Sequence, residues 1–212
     1  AEPGVTHLQA DVTDETQVNA AVAEILRREG RIDILINNAG IQIRNDCLDF
    51  REEDWDKLMD INLKGVFFCC QQGGLIMKDN GGGVIVNMSS STAVRTTPGR
   101  APYCISKAGV KNLTMVLSCE FAKYHIRMNA VAPGWIMTNM LQDGFRLGVV
   151  SDKQLMAAIP YKRYADMSEI ADTVVYLCSD QASYITGQCI HVDGGQTPLS
   201  ACRISCREEI KQ

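Results

Sequence analysis

A tyrosine and a lysine stand four positions apart in the stretch APYCISKAG, residues 101–109. If this stretch is helical, Tyr103 and Lys107 lie one above the other on the same face. A free phenol has a pKa of about 10 and is a poor proton acceptor at neutral pH. A lysine ammonium one turn away is strong enough to lower that pKa by the roughly 2–3 units needed. The pair therefore indicates acid/base chemistry, the alternative being a tyrosine at a helix start beside a solvated lysine.

Two further polar groups could complete such a site. The stretch NMSSST, residues 87–92, places serines directly after a buried apolar run. A hydroxyl there could reach the same substrate oxygen as Tyr103, although turn and capping chemistry is the alternative. Asn62 lies in DINLKGVFF within an apolar helical stripe. Its amide must find hydrogen-bond partners, which could be catalytic or structural.

The elements that must position these groups alternate along the chain. We expect strands at 5–10, 33–37, 83–88, 126–132 and 189–195, and helices at 14–30, 52–78, 101–123 and 167–179. Near-continuous apolar strands separated by helices indicate an α/β fold with a parallel sheet covered on both faces. Ligands of such sheets bind beyond the carboxyl ends of the strands, where Asn38, the serines at 89–91 and Pro133–Gly134 fall.

Composition and charge exclude several classes of function. The net charge is −4 and no run of Lys or Arg stands out, so we expect no nucleic-acid partner. The apolar runs are too short to span a membrane, and the amino terminus lacks a signal pattern, which favours a cytoplasmic protein. The 9 cysteines include no C-x-x-C pair, and the 3 histidines are scattered. We therefore expect buried core cysteines and no metal site.

A set of short motifs, in order and with consistent spacing, carries a family resemblance. The motifs are ADVTD (10–14), NNAG (37–40), the asparagine of DINLKGVFF, VNMSSS, Tyr103-x-x-x-Lys107, NAVAPGWIMT (129–138) and SYITGQCIHVDGG (183–195). Over about residues 5–196 the chain resembles the short-chain dehydrogenase/reductase family. The resemblance implies a Rossmann-like, doubly wound parallel sheet. It also implies hydride transfer between NAD or NADP and a secondary alcohol/ketone pair.

The resemblance assigns a role to each polar group of the candidate site. Tyr103 matches the catalytic acid/base, and Lys107 matches the lysine that lowers the tyrosine pKa and holds the nicotinamide ribose. Ser90 matches the serine that hydrogen bonds the substrate oxygen, with Ser89 and Ser91 as nearby alternatives. Asn62 matches a proton-relay asparagine.

Cofactor contacts are implied for a second set of residues, which partly overlaps the first. Its members match positions beside the adenine, the nicotinamide and the turn that packs on the cofactor. They are Asp11, Val12, Asn38, Ala39, Gly40, Tyr103, Lys107, Pro133, Gly134, Ile136 and Thr138.

The chain departs from the family pattern at both ends. No Gly-rich turn joins a first strand to a first helix, although such a turn is what holds a pyrophosphate. We therefore expect an amino-terminally incomplete chain that begins just before the family's third strand, lacks the first βαβ segment and needs that segment for full activity. In the family's strand order, 3-2-1-4-5-6-7, this leaves a gap of about 14 Å in the sheet. The choice between NAD and NADP lies in the same missing part.

The remaining expectations concern domains, substrate and assembly. We expect a dehydrogenase-like domain over 1–196, with a substrate lid at about 135–165, and a weakly packed tail over 197–212. Gln42, Arg44 and Arg95 fall near the expected rim, where an arginine could clamp a carboxylate or phosphate. The substrate expected from resemblance is a sugar acid, a polyol or a 3-oxoacyl compound.

Assembly and the rival function complete the expectations. Helices 52–78 and 101–123 are the family's usual interface, which implies a homodimer or homotetramer. A non-catalytic binding or scaffold protein is the alternative function, because the Gly-rich turn is absent.

Overall fold

A four-stranded parallel sheet forms the centre of the computed structural model, which describes residues 4–146, 148 and 151–201. The strands lie in the order β1-β2-β3-β4, and every neighbouring pair is parallel. Their bounds are β1 Ile34–Asn37, β2 Gly83–Met88, β3 Ile126–Pro133 and β4 Cys189–Val192. The predicted α/β class and parallel sheet are therefore confirmed.

The strand predicted at residues 5–10 is wrong, because that segment has no regular secondary structure. No strand in the described part of the chain pairs with it, and β1, at the sheet edge, pairs with β2 alone. An extended segment without a neighbouring strand has no ladder to satisfy its backbone groups. The four observed strands form one continuous ladder, so the expected gap of missing strands does not open within this sheet.

Eight α-helices flank and connect the strands in the described residues. They are α1 Glu15–Glu29, α2 Glu52–Met59, α3 Gly65–Asp79, α4 Ala101–Phe121, α5 Asn139–Arg146, α6 Asp152–Ala157, α7 Met167–Cys178 and α8 Gln196–Ala201. Short 3-10 turns lie at Cys47–Asp49, Ser91–Ala93, Ala122–Tyr124 and Asp180–Ala182. The single long helix predicted at 52–78 is interrupted by a π-helical turn, Asp60–Lys64, between α2 and α3. Of the predicted tail, residues up to 201 lie in α8, and 202–212 lie outside the described residues.

Apolar clusters cover both faces of the sheet. Ile85 and Val86 are adjacent on β2 but belong to different clusters, because successive strand side chains point to opposite faces. Ile85 packs with the buried side chains of α3 and α4, and Val86 packs with those of α7. The sheet is therefore doubly wound, as the sequence predicted, and the polar groups at its carboxyl rim are positioned by a rigid core.

Close packing between α3 and the end of α4 depends on a glycine. A Cβ atom added at Gly74 would lie 2.6 Å from Cε2 of Phe121, which is closer than packed carbons approach. We expect Gly74→Ala to lower the free energy of unfolding by about 1–3 kcal/mol, measured by urea denaturation. Gln71→Ala, at an exposed position of the same helix, is the control. Equal stability of the two variants would contradict this packing.

The described residues contain no disulfide, no candidate metal cluster and no membrane-spanning helix. The seven cysteines in this part of the chain are free thiols. No group of three or more His, Cys, Asp or Glu side chains there could hold a metal ion. No helix within the described ranges is long and apolar enough to cross a membrane.

Candidate active site

Tyr103 and Ser90 meet at the carboxyl rim of the sheet. Ser90 comes two residues after the end of β2, and Tyr103 lies in the first turn of α4. The Ser90 side chain lies close enough to the Tyr103 phenol to lower its pKa, and its Oγ atom accepts the backbone N–H of Thr92 at 3.2 Å. The helix start and the strand end thus bring together two groups that the sequence separates by 13 positions.

The structure distinguishes among the three neighbouring serines. Ser89 is buried, and its hydroxyl donates to the Lys107 backbone oxygen at 2.9 Å. Ser91 is buried as well and hydrogen bonds the side chain of Gln196 at 3.4 Å. Only the Ser90 side chain, of these three, contacts the tyrosine hydroxyl. The geometry therefore agrees with the choice of Ser90 made from the family spacing.

Lys107 lies one turn beyond Tyr103 and is only 5% exposed. Its Nζ atom donates to the backbone oxygen of Met88 at 2.8 Å and lies 5.8 Å from the centre of the Tyr103 ring. Burial lowers the pKa of Lys107 to about 8. The amine is therefore mostly protonated at pH 7, but it holds its proton less tightly than a lysine in water.

The expected lowering of the Tyr103 pKa by Lys107 is not what the structure shows. Burial raises the pKa of Tyr103, while the hydrogen bond with Ser90 and the positive charge of Arg100 lower it by less. The Lys107 ammonium is directed to the Met88 carbonyl at the end of β2, and it is not among the groups that shift this pKa. Desolvation therefore determines that the Tyr103 pKa is raised, because burial removes the water that stabilises the ionised phenolate.

Asn62 occupies the π-helical turn between α2 and α3 and is completely buried. Its Oδ1 atom accepts the backbone N–H of Ile41 at 2.8 Å, and its Nδ2 atom donates to the Ile41 oxygen at 2.9 Å. A weaker contact of 3.3 Å joins Nδ2 to the Ser106 hydroxyl on α4. The side chain therefore fixes the loop after β1 against the catalytic helix, which is the structural role left open by the sequence.

The loop after β1 approaches the lysine and asparagine closely because residue 40 is glycine. A Cβ atom at Gly40 would lie 3.3 Å from Asn62 Oδ1 and 3.4 Å from Lys107 Nζ. Asn38, Ala39 and Gly40 are themselves exposed. The exposed loop thus lies beside Lys107, so a molecule bound there would contact both the loop and the lysine.

The other residues implied as cofactor contacts lie around the same rim. Pro133 ends β3 and Gly134 follows it. Val12 packs on the start of α3, since a Cβ atom at Gly65 would lie 3.0 Å from its backbone oxygen. Asp11 is exposed, and hydrogen bonds from the backbone and side chain of Thr13 hold the pKa of its carboxyl below the usual value.

Ile136 and Thr138 follow on the chain beyond β3. Ile136 packs against the apolar cluster on the α7 side and pairs with Ala165 in an isolated bridge. The Thr138 hydroxyl accepts the backbone N–H of Leu141 at 3.3 Å and so begins α5. These contacts position both residues at the base of the predicted lid, and their roles toward a cofactor stay predictions.

Arg100 is a residue of the site that the sequence interpretation missed. It is 4% exposed, and its guanidinium carbon lies 4.7 Å from the centre of the Trp135 ring. The Gln42 side-chain oxygen, when oriented toward the two arginines, accepts hydrogen bonds from Arg100 Nε at 3.1 Å and from Arg44 Nε at 2.8 Å. The sequence could have indicated Arg100, because it stands three positions before Tyr103 and therefore at the same end of α4.

Arg95 and Trp135 share a second amide. With the Gln196 oxygen toward them, Arg95 Nη1 donates at 2.7 Å and Trp135 Nε1 at 2.8 Å. The indole is therefore fixed at its nitrogen while its face supports Arg100. Arg44 and Arg95, which the sequence placed near the rim, are both connected to the Tyr103 region through these amides.

Comparisons with known proteins agree with this geometry. The profile of a family described as enoyl-(acyl carrier protein) reductase matches residues 1–197. A 3-oxoacyl-[acyl-carrier-protein] reductase of Staphylococcus epidermidis is 41% identical over 191 residues, which are 89% of this chain and 76% of the relative. An oxidoreductase of Salmonella typhimurium is 40% identical over 198 residues, which are 91% of this chain and 75% of the relative.

A solved structure superimposes closely as well. The gluconate 5-dehydrogenase of Burkholderia cenocepacia, in complex with NADP and tartrate, has a TM-score of 0.84 and 36% sequence identity. The match covers 89% of this chain and 73% of that protein.

Proposed function

The chain belongs to the short-chain dehydrogenase/reductase family of NAD(P)-dependent oxidoreductases acting on CH–OH groups, and from this premise we propose that it interconverts a secondary alcohol and a ketone with Tyr103 as acid/base. The observation that carries the proposal is the position of Ser90 beside the Tyr103 phenol at the sheet rim, with Lys107 Nζ 5.8 Å from the centre of the Tyr103 ring. We propose a sugar acid, a polyol or a 3-oxoacyl compound as the substrate class; the names of two relatives contain gluconate and a 3-oxoacyl group.

The proposed mechanism assigns one task to each side chain. During reduction, the Ser90 hydroxyl hydrogen bonds the ketone oxygen, and the Tyr103 hydroxyl donates its proton to that oxygen as the alcohol forms. During oxidation, the Tyr103 phenolate takes the proton from the alcohol. A bound nicotinamide cofactor supplies or accepts the hydride, which is chemistry that no side chain provides.

The residues around Lys107 suit a nicotinamide cofactor. Its ammonium uses one hydrogen bond, to Met88, and therefore keeps further N–H groups for ribose hydroxyls. A Cβ atom added at Gly40 would lie 3.4 Å from Lys107 Nζ, so the exposed loop 38–40 lies beside the ammonium and could contact the same molecule. We propose that NAD or NADP binds along this rim, held by the loop, Lys107 and the turn at Pro133–Gly134.

Turnover with either cofactor tests the proposal directly. The assay follows NADH or NADPH absorbance with a panel of sugar acids, polyols and 3-oxoacyl thioesters, while cofactor fluorescence reports binding. Turnover of at least one substrate class is expected. If neither cofactor binds or reacts with any of them, the proposed activity is wrong.

Arg44 is predicted to contribute to the binding of acidic substrates and not of neutral ones. Its guanidinium is anchored on Gln42, and no carboxylate pairs with it in the described residues. We expect Arg44→Ala to raise the KM of an acidic substrate by about tenfold and to spare a neutral one, because a charged hydrogen bond is lost. Initial rates on both substrate types measure this, and equal effects would count against an anion clamp.

Two further proposals concern the assembly of the protein and its substrate lid. Exposed apolar side chains on α3 and α4, including Phe67, Leu75, Ile105 and Val116, are consistent with a homodimer or homotetramer through these helices. We propose that α5 and α6, within 135–165, form the substrate lid. The alternative of a non-catalytic scaffold is not favoured, because it gives no reason for Ser90, Tyr103 and Lys107 to converge.

A further inference from the structure

Four side chains beside Tyr103 form a cationic group that the proposed proton transfer does not use. They are Gln42, Arg44, Arg100 and Trp135, here called the arginine cluster. One amide oxygen, that of Gln42, accepts hydrogen bonds from both arginines, which fixes two like charges close together. The positive charge of Arg44 contributes to lowering the pKa of Arg100 to about 10, after the larger effect of burial.

Within the described ranges, no acidic side chain forms an ion pair with either of these two charges. The ion pairs among the described residues include neither Arg44 nor Arg100. The charges and ionisable groups that influence Arg100 are Arg44, Tyr103 and Cys104, and none is a carboxylate. A guanidinium that is 4% exposed normally has a counter-ion, since burying an unpaired charge costs several kcal/mol. The fold therefore maintains an uncompensated positive charge next to the catalytic tyrosine.

The unused donors of Arg100 are arranged to bind an anion. Its Nε atom is taken by Gln42, and one face of the guanidinium covers the Trp135 ring. In the described part of the chain, no hydrogen bond is found to either Nη atom of Arg100. A guanidinium fixed at one nitrogen and one face keeps a planar pair of N–H groups, which matches a carboxylate or phosphate.

Building on the proposed function, we propose that the arginine cluster binds an oxyanion carried by the substrate itself, a carboxylate or phosphate only a few bonds from the reacting carbon. Arg100 is the N-cap of α4 and stands three positions before Tyr103, so a group bound to Arg100 lies at the same end of this helix as the Tyr103 phenol. A neutral 3-oxoacyl thioester has no charged group adjacent to its ketone. The cluster therefore favours short hydroxy or oxo acids over carrier-bound acyl chains, with Arg100 as the specificity-determining residue.

Calorimetric binding and initial rates of the full-length protein test this inference. Hydroxy acids of increasing chain length, gluconate among them, are each compared with the neutral polyol of the same length. We expect the wild-type protein to bind an acid at least about tenfold more tightly than its matched polyol, and Arg100→Met to remove that preference. Arg100→Lys, which keeps the charge but loses the planar fork, should retain part of it.

Controls separate specificity from folding. Arg51 is exposed and paired with Asp54, so Arg51→Gln is the matched variant, with no expected change in the acid-to-polyol ratio. Arg100→Met removes an unneutralised buried charge, and its melting temperature should therefore stay at or above that of the wild type. The inference is overturned if the wild type does not prefer acids, or if Arg100→Met weakens acids and polyols equally.

Two further measurements distinguish carboxylate from phosphate and separate binding from turnover. Acetate and inorganic phosphate are compared as competitors, and the stronger one identifies the oxyanion as carboxylate or phosphate. Binding is read without turnover, so a protein that prefers acids but turns over no substrate with either cofactor would support the arginine cluster and refute the proposed function. A protein that turns over alcohols or ketones but binds acids no more tightly than the matched polyols would do the reverse.

Discussion

Replacing Tyr103 by phenylalanine is expected to lower kcat by about 10²–10⁴-fold while leaving the fold intact. The variant keeps the ring and its packing in α4 but removes the hydroxyl, which is the only part of the side chain that meets Ser90. Steady-state rates in both directions measure the loss. Tyr184→Phe, at a fully exposed tyrosine, is the control and should retain wild-type activity. If Tyr103→Phe keeps more than about a tenth of the wild-type kcat, the acid/base assignment fails.

The pKa direction adds a pH dependence to this prediction. Burial raises the pKa of Tyr103, so the phenol is protonated at pH 7. Oxidation, which needs the phenolate, should therefore become faster with each rise in pH through the neutral range. Reduction needs the protonated phenol, which predominates there, and should change little. A plateau of the oxidation rate at neutral pH would instead indicate the lowered pKa that the sequence suggested.

Replacing Lys107 by methionine is expected to cost activity and to change the pH dependence of stability. We expect kcat/KM to fall by about 10²-fold or more, since a positioned charged donor is lost. The buried amine has a pKa of about 8 in the folded protein, against 10.5 for its ordinary value. That difference corresponds to about 3 kcal/mol, by which the charged lysine destabilises the fold at pH 7.

The sign of the stability effect follows from proton binding. Between pH 8 and 10.5 the unfolded chain holds the Lys107 proton more tightly than the folded chain does. The free energy of unfolding of the wild type should therefore rise relative to Lys107→Met across this window, by about 3 kcal/mol in total. Urea denaturation of both proteins over this range measures the difference, in which other titrating groups cancel. A constant difference would contradict the buried, charged lysine.

The sequence predicted the sheet because a parallel sheet depends on local pattern, and the same pattern indicated where its polar rim would lie. The strands at 83–88 and 126–132 are near-continuous apolar runs, and the structure has them at Gly83–Met88 and Ile126–Pro133. Ser90, Tyr103 and Lys107 follow directly from such elements, so their proximity could be predicted from strand ends and helical spacing. The choice of Ser90 over its neighbours came from family spacing, and the hydrogen bonds of Ser89 and Ser91 agree with it.

What the sequence could not predict depends on the surroundings in three dimensions. Residues 5–10 have a strand-like pattern, but no strand lies beside them in the described structure. The Tyr103 pKa depends on burial and on where the Lys107 ammonium is directed, and neither follows from a four-residue spacing. Arg100 was missed because its meaning comes from Gln42 and Trp135, which are distant in the chain.

The pH profile of alcohol oxidation, measured for the wild type and for Tyr103→Phe, tests the central claim most directly. If the Tyr103 phenol carries the proton, the wild-type rate should increase with pH. The rate of the variant should be lower by about 10²-fold or more and should not show that increase. A variant whose rate and pH dependence match the wild type would mean that another group moves the proton.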